Sequence, residues 1–166
     1  MTRESVYLDW LRDAHAMEKH ADTTFKAAVP RLAGWPILGA RMAQYLEVTR
    51  EQQLQIKEIL KRYDSSWSAL KEALGRMSIV GQAANDMLND AEGVRVAISS
   101  YVFCQYKVAT YSTLLAAAQL AGDDEGLPVL QEALQHETHM AEWLKRHLPE
   151  AAEEEIVHLT DAALTG

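Results

Sequence analysis

The chain has 166 residues, enough for one domain with a real core and too few for two comfortable ones. With 48% hydrophobic and 24% charged residues it has the composition of an ordinary globular protein, not a disordered one. A net charge of -8 disfavours nucleic acid, whose phosphates need a basic footprint, and is repelled by anionic membranes, while a single cysteine excludes an internal disulfide framework.

The opening MTRESVYLDW is polar and lacks the apolar core of a signal peptide, and no apolar run approaches the roughly 20 residues of a membrane helix. The expectation is a cytoplasmic protein. The first segment repeats inward residues every three or four positions, through Leu8, Leu11, Ala14, Glu18, Ala21 and Phe25. Pro30 closes it, because proline lacks the donor a helix interior requires. Pro36 then opens a second stripe through Leu38, Met42, Tyr45, Thr49, Gln52, Ile56 and Ile59. A third helix is predicted from about 92 to 121, stopped by Gly122, and a fourth from about 127 to 148 through Leu130, Leu134, Glu137, Met140 and Leu144. Pro149 reads as the start of a further acidic helix, EAAEEEIVHLTDAAL.

Between the second and third helices lies a connection of about 30 residues, which includes a shorter helix capped by Asp64 or Ser65. Antiparallel neighbours need only a short loop, so this length implies that helix three starts at the far end of the bundle. The fold class expected is all-α: a ferritin-like four-helix bundle with a helical crossover between helices two and three and an extra C-terminal helix. The whole of 1–166 reads as a single domain.

Polar residues on inward stripes carry the functional information, since burying an unpaired charge is costly. Glu18 and Glu137 stand at matching depth on the first and last bundle helices, as a carboxylate-bridged metal site would use them. The alternative is that both lie at the stripe's edge with their heads in water. His15 precedes Glu18 by three residues and His136 precedes His139 by three, a spacing that suits a divalent metal. Both of the latter flank the inward face instead of centring on it. His147 and His158 read as tail positions, and Cys104 as a small packed hydrophobe.

The words WLRDAHAMEKHA, YVFCQYKVATYSTLLAAAQLAGD and HETHMAEWL resemble the YciE/YciF family of bacterial ferritin-like stress proteins, the YciE branch most closely. The resemblance runs from about residue 5 to residue 150 without a large gap and includes the crossover words MSIVGQAANDML. It implies a cytoplasmic homodimer, associated with stress responses and without a well-established reaction, some of whose relatives carry a di-iron-type carboxylate site. Carried over by position, Glu18 and Glu137 match the family's glutamates, and Thr49, Gln52 and Tyr111 keep its smaller polar features. Elsewhere the pattern is broken. Tyr45 and Val48 stand where the resemblance implies histidine and glutamate, Cys104 and Lys107 where it implies two glutamates, and His136 replaces one of a glutamate pair.

On this reading the site is a degenerate one without a metal cofactor, and the protein a non-catalytic homodimer with no nucleic-acid or membrane partner. Lys107 is expected to supply internally the positive charge that metals supply in relatives, pairing with Glu18, Glu137 or both. The alternatives are a surface lysine and a remodelled metal or redox site. In the latter, Glu18, Glu137, Cys104 and His136 would hold a divalent ion, iron or zinc. Trp10, Trp35, Trp67 and Trp143 cannot all be core, and exposed aromatics suit a two-fold interface.

Overall fold

The computed structural model describes residues 1–63, 83, 86–88 and 92–165. Four long helices make up most of these: α1 (Arg3–Ala28), α2 (Pro36–Arg62), α3 (Val94–Ala121) and α4 (Gly126–Leu164). Thr2 starts α1 by a reciprocal cap. Its hydroxyl accepts from the Ser5 N–H at 3.0 Å, and the Ser5 hydroxyl accepts from the Thr2 N–H at 2.8 Å. As expected from Pro30, α1 gives way to a tight 3-10 turn, Val29–Leu32, and Pro36 occupies the start of α2. Gly122 ends α3 in the left-handed conformation, with φ of 77°.

The inward stripes meet as the spacing predicts. Leu11, Ala14, Ala21 and Phe25 of α1 face Leu38, Met42, Ile56 and Ile59 of α2, and Phe103 and Leu114 of α3 join Leu130 and Leu144 of α4 in the same core. Phe25 is the aromatic hub, edge-on to Tyr45 at 5.2 Å and to Phe103 at 5.7 Å between centroids. No helix among the described residues is long and apolar enough to cross a membrane.

Two clusters fix which end is which. At one end the buried Asp123 carboxylate accepts from the Tyr7 hydroxyl of α1 at 2.7 Å, the Arg62 guanidinium of α2 at 3.0 Å and the Gly126 N–H of α4 at 3.1 Å. At the other end Gly93, just before α3, lies against Trp35, just before α2. Its φ is 53°, and a Cβ there would come within 2.5 Å of the indole. The end of α3 therefore adjoins the end of α2, and the chain must cross the length of the bundle between them. The crossover wiring expected from the long connection is thus fixed by its two ends. Most of the segment itself, including the cap expected at Asp64 or Ser65 and the tryptophan Trp67, lies outside the described residues.

One boundary differs from the sequence reading. Pro149 does not open a separate helix. It lies inside α4, which runs unbroken for 39 residues. Proline forfeits one backbone hydrogen bond and crowds the preceding turn, at a cost of about 3 kcal/mol. Contacts on both sides offset this. His147, buried rather than a loose tail residue, pairs with Glu150 at 3.1 Å and stacks on Trp143. Farther on, Ala151 is fully buried and His158 lies 3.0 Å from the Gly34 carbonyl, beside the Trp35 ring. The acidic tail is thereby tied to the start of α2.

Candidate functional site

Halfway along the bundle each helix contributes polar side chains to one buried cluster. From α1 comes Glu18, from α2 Tyr45 and Gln52, from α3 Cys104, Lys107 and Tyr111, and from α4 Glu137. Helical spacing explains the set: Tyr45 and Gln52 are two turns apart, and Cys104, Lys107 and Tyr111 follow at three and four residues, so each group shares one face.

Lys107 is the centre. Its ammonium lies 2.9 Å from Glu18 Oε2 and 2.6 Å from Glu137 Oε1, and all three side chains have no exposed surface. Nζ also donates to Gln52 Oε1 and the Tyr45 hydroxyl, each at 3.1 Å, and sits 4.9 Å from the centre of the Tyr45 ring. The outer carboxylate oxygens are held too. The Tyr111 hydroxyl donates to Glu18 Oε1 at 2.8 Å, and the Tyr45 hydroxyl to Glu137 Oε2 at 2.6 Å. The Cys104 thiol reaches the Tyr45 oxygen at 3.4 Å. Charge-assisted bonds of this kind are about twice as strong as neutral ones.

Of the sequence candidates, Glu18, Glu137 and Cys104 come together here, neither glutamate lies at a solvated edge, and Lys107 is not a surface lysine. His136 does not join them. It is exposed on α4, outside the cluster and 3.9 Å from Glu132. His15, one turn before Glu18, is buried, and among the described residues its Nδ1 has no partner. Sequence reasoning took Tyr45 only as the replacement of a ligand and missed it as a donor. The signal was present, since a tyrosine at the centre of an inward stripe must place its hydroxyl on a polar partner.

The charges respond to this packing. Burial raises the Glu18 carboxyl, Lys107 pulls it back and Glu137 pushes it up again, leaving it at about 7. Burial alone would lower Lys107, but the two carboxylates outweigh it and hold the ammonium at about 12. Burial pushes the Cys104 thiol up, so it stays protonated, and drives His15 down to about 4, so it stays neutral.

A di-iron centre of the bundle type draws a glutamate from each of two helices and a Glu-x-x-His pair from each of the other two. Here two carboxylates face each other with a donor-only ammonium between them, and among the described residues no three His, Cys, Asp or Glu side chains converge on a metal-sized space. The donor set does not suit a pair of hard cations.

Comparison with known proteins gives one family match: residues 2–157 match DUF892, a domain of unknown function. Among solved structures, the chain is similar to a protein from Xanthomonas campestris pv. campestris, at 27% identity and a TM-score of 0.73 over 98% of this chain and 99% of that one. It is also similar to the E. coli stress protein YciF, at 18% identity and a TM-score of 0.76 over 92% and 98% of the two chains. A third likeness is to YcfI from Rhodopseudomonas palustris, at 20% identity and a TM-score of 0.67 over 87% and 94%. The last two likenesses establish the fold.

Removing Lys107 alone should cost about 3 to 5 kcal/mol in denaturant unfolding, because Lys107→Ala leaves two facing carboxylates buried without a cation. Replacing the whole triad by Glu18→Gln, Lys107→Met and Glu137→Gln should restore most of that loss; equal stability of the single and triple variants would count against the ionic account. The pH dependence follows from Glu18. Its folded value of about 7 lies above the unfolded 4.5, so its contribution is full below pH 4.5 and is lost as pH rises to about 7. Melting temperature measured across that window should fall relative to Glu18→Gln, which cannot titrate.

Proposed function

The chain belongs to the DUF892 family, that of the YciE/YciF-like proteins, and from that membership and the buried triad we propose a non-catalytic, stress-associated bundle protein whose central site is closed by a lysine in place of a metal pair. The single observation that carries this reading is the Lys107 ammonium, fully buried and within 2.9 Å of both carboxylates. A fixed internal cation neutralises one of the two negative charges and removes the electrostatic demand for an ion. It also occupies the space between the two carboxylates that an ion would need. The stress association comes from YciF, which is described as a stress protein. A cytoplasmic address belongs to the same reading.

The proposal extends to a homodimer. α3 is the most apolar of the four helices and its apolar residues are not confined to the inward face. Ile98, Val102 and Tyr106, spaced four apart on its outer side, are exposed, as is Leu120 near its end. Trp10 of α1 lines an apolar groove together with Leu120. An exposed apolar strip along paired helices suits a self-complementary two-fold contact.

Purified protein incubated with ferrous iron, manganese or zinc and then desalted should retain far less than one ion per chain by elemental analysis. Stoichiometric metal that disappears in Glu18→Ala or Glu137→Ala would overturn the proposal. Conversely, Tyr45→His, Val48→Glu, Cys104→Glu and Lys107→Glu together should gain iron, because they restore oxygen and imidazole donors and remove the ammonium. Light scattering should report the mass of two chains, and Val102→Glu should shift it toward one. A concentration-independent monomer would argue against the dimer.

A further inference from the structure

Directly outside the buried cluster, α2 and α4 part to leave a groove of about 260 Å³ lined by Arg41, Tyr45, Val48, His136, His139 and Met140. Its floor is apolar and its rim is basic, in a chain whose net charge is -8. Arg41 is the informative residue. Its guanidinium rests over the Trp143 ring at 5.1 Å, and Trp143 in turn is stacked on His147, so the arginine is oriented by packing. Among the described residues it has no carboxylate partner, although carboxylates outnumber cations in the sequence by 24 to 16. An arginine fixed on an aromatic face keeps its planar fork of donors free for a carboxylate or phosphate. The exposed imidazole of His139 adds a second donor on the opposite wall.

We propose that this groove binds a small organic anion, an aryl or short-chain carboxylate, with its charge on Arg41 and His139 and its apolar body against Val48 and Met140. The volume limits the ligand. Pockets for drug-sized ligands span about 300 to 1,000 Å³, so this one takes a fragment of single-ring size. The chemistry is recognition without reaction. Val48, placed where a carboxylate would have repelled such a ligand, now offers apolar surface. An occupant also touches the ring of Tyr45, whose hydroxyl holds Glu137 inside the bundle.

Calorimetric titration of the full chain with benzoate, benzamide and inorganic phosphate tests the proposal. Benzoate should bind saturably at one site per chain, in the millimolar range or tighter. Benzamide, of the same shape without the charge, should bind at least about tenfold more weakly. Arg41→Ala should weaken benzoate by about tenfold or more, and His139→Ala, an exposed position, should weaken it without altering the melt. Absence of saturable benzoate binding, equal binding of benzamide, or full affinity in both variants would overturn the site. Phosphate binding as tightly as benzoate would overturn the role given to the apolar floor. None of these outcomes bears on metal content, so the groove and the lysine-closed centre stand or fall separately.

Discussion

The Lys107 ammonium between Glu18 and Glu137 sets the terms for everything around it. Two carboxylates in the interior of a bundle repel each other and lack water, and one of them takes a proton unless a cation is near. A lysine stem long enough to span from α3 places that cation between helices that would otherwise expose charge to charge. The residual imbalance falls on Glu18, whose partners are Lys107 and a neutral tyrosine. Tyr45 meets the remaining requirement, since one hydroxyl accepts from the ammonium and donates to Glu137. The cluster works as a unit because every charged atom in it depends on a neighbour from another helix.

The wiring of the fold makes such a unit possible. With two antiparallel hairpins joined by a crossover, all four helices present their midpoints to one axial space. Both ends are pinned independently of the centre: Asp123 ties three helices at one end, and Trp35, Gly93 and His158 tie the start of α2, the start of α3 and the tail at the other. An ionic centre confined between two fixed ends cannot relax by splaying the helices. A variant that removes one member leaves charge buried without its partner, whereas neutral groups at all three positions would leave none.

The helices and their order were legible from periodicity and proline placement, because inward apolar residues at three- and four-residue spacing leave few other packings. The position of Lys107 was legible only in part. Two acids on inward stripes called for a cation, which a lysine of α3 could supply, but a surface lysine fitted the same sequence, and only the contacts across helices decide between them. The break expected at Pro149 failed because local propensity decides a boundary only where tertiary contacts do not, and the anchors at His147, Ala151 and His158 are distant in sequence from what they touch. Asp123 was hidden by the same logic. In an acidic turn, AGDDEG, nothing local distinguishes the aspartate that faces Tyr7 and Arg62 from its exposed neighbour Asp124.

Tyr45 links the interior to the surface. It is one of the residues that line the groove between α2 and α4, and its hydroxyl lies inside the ionic cluster. A histidine at this position and a glutamate in place of Val48 would make the groove's wall polar and acidic. With tyrosine and valine the wall is apolar, and Arg41, held in place by Trp143, lies on the groove's rim. A neutral floor and an oriented guanidinium therefore stand outside the same tyrosine whose hydroxyl serves the buried triad.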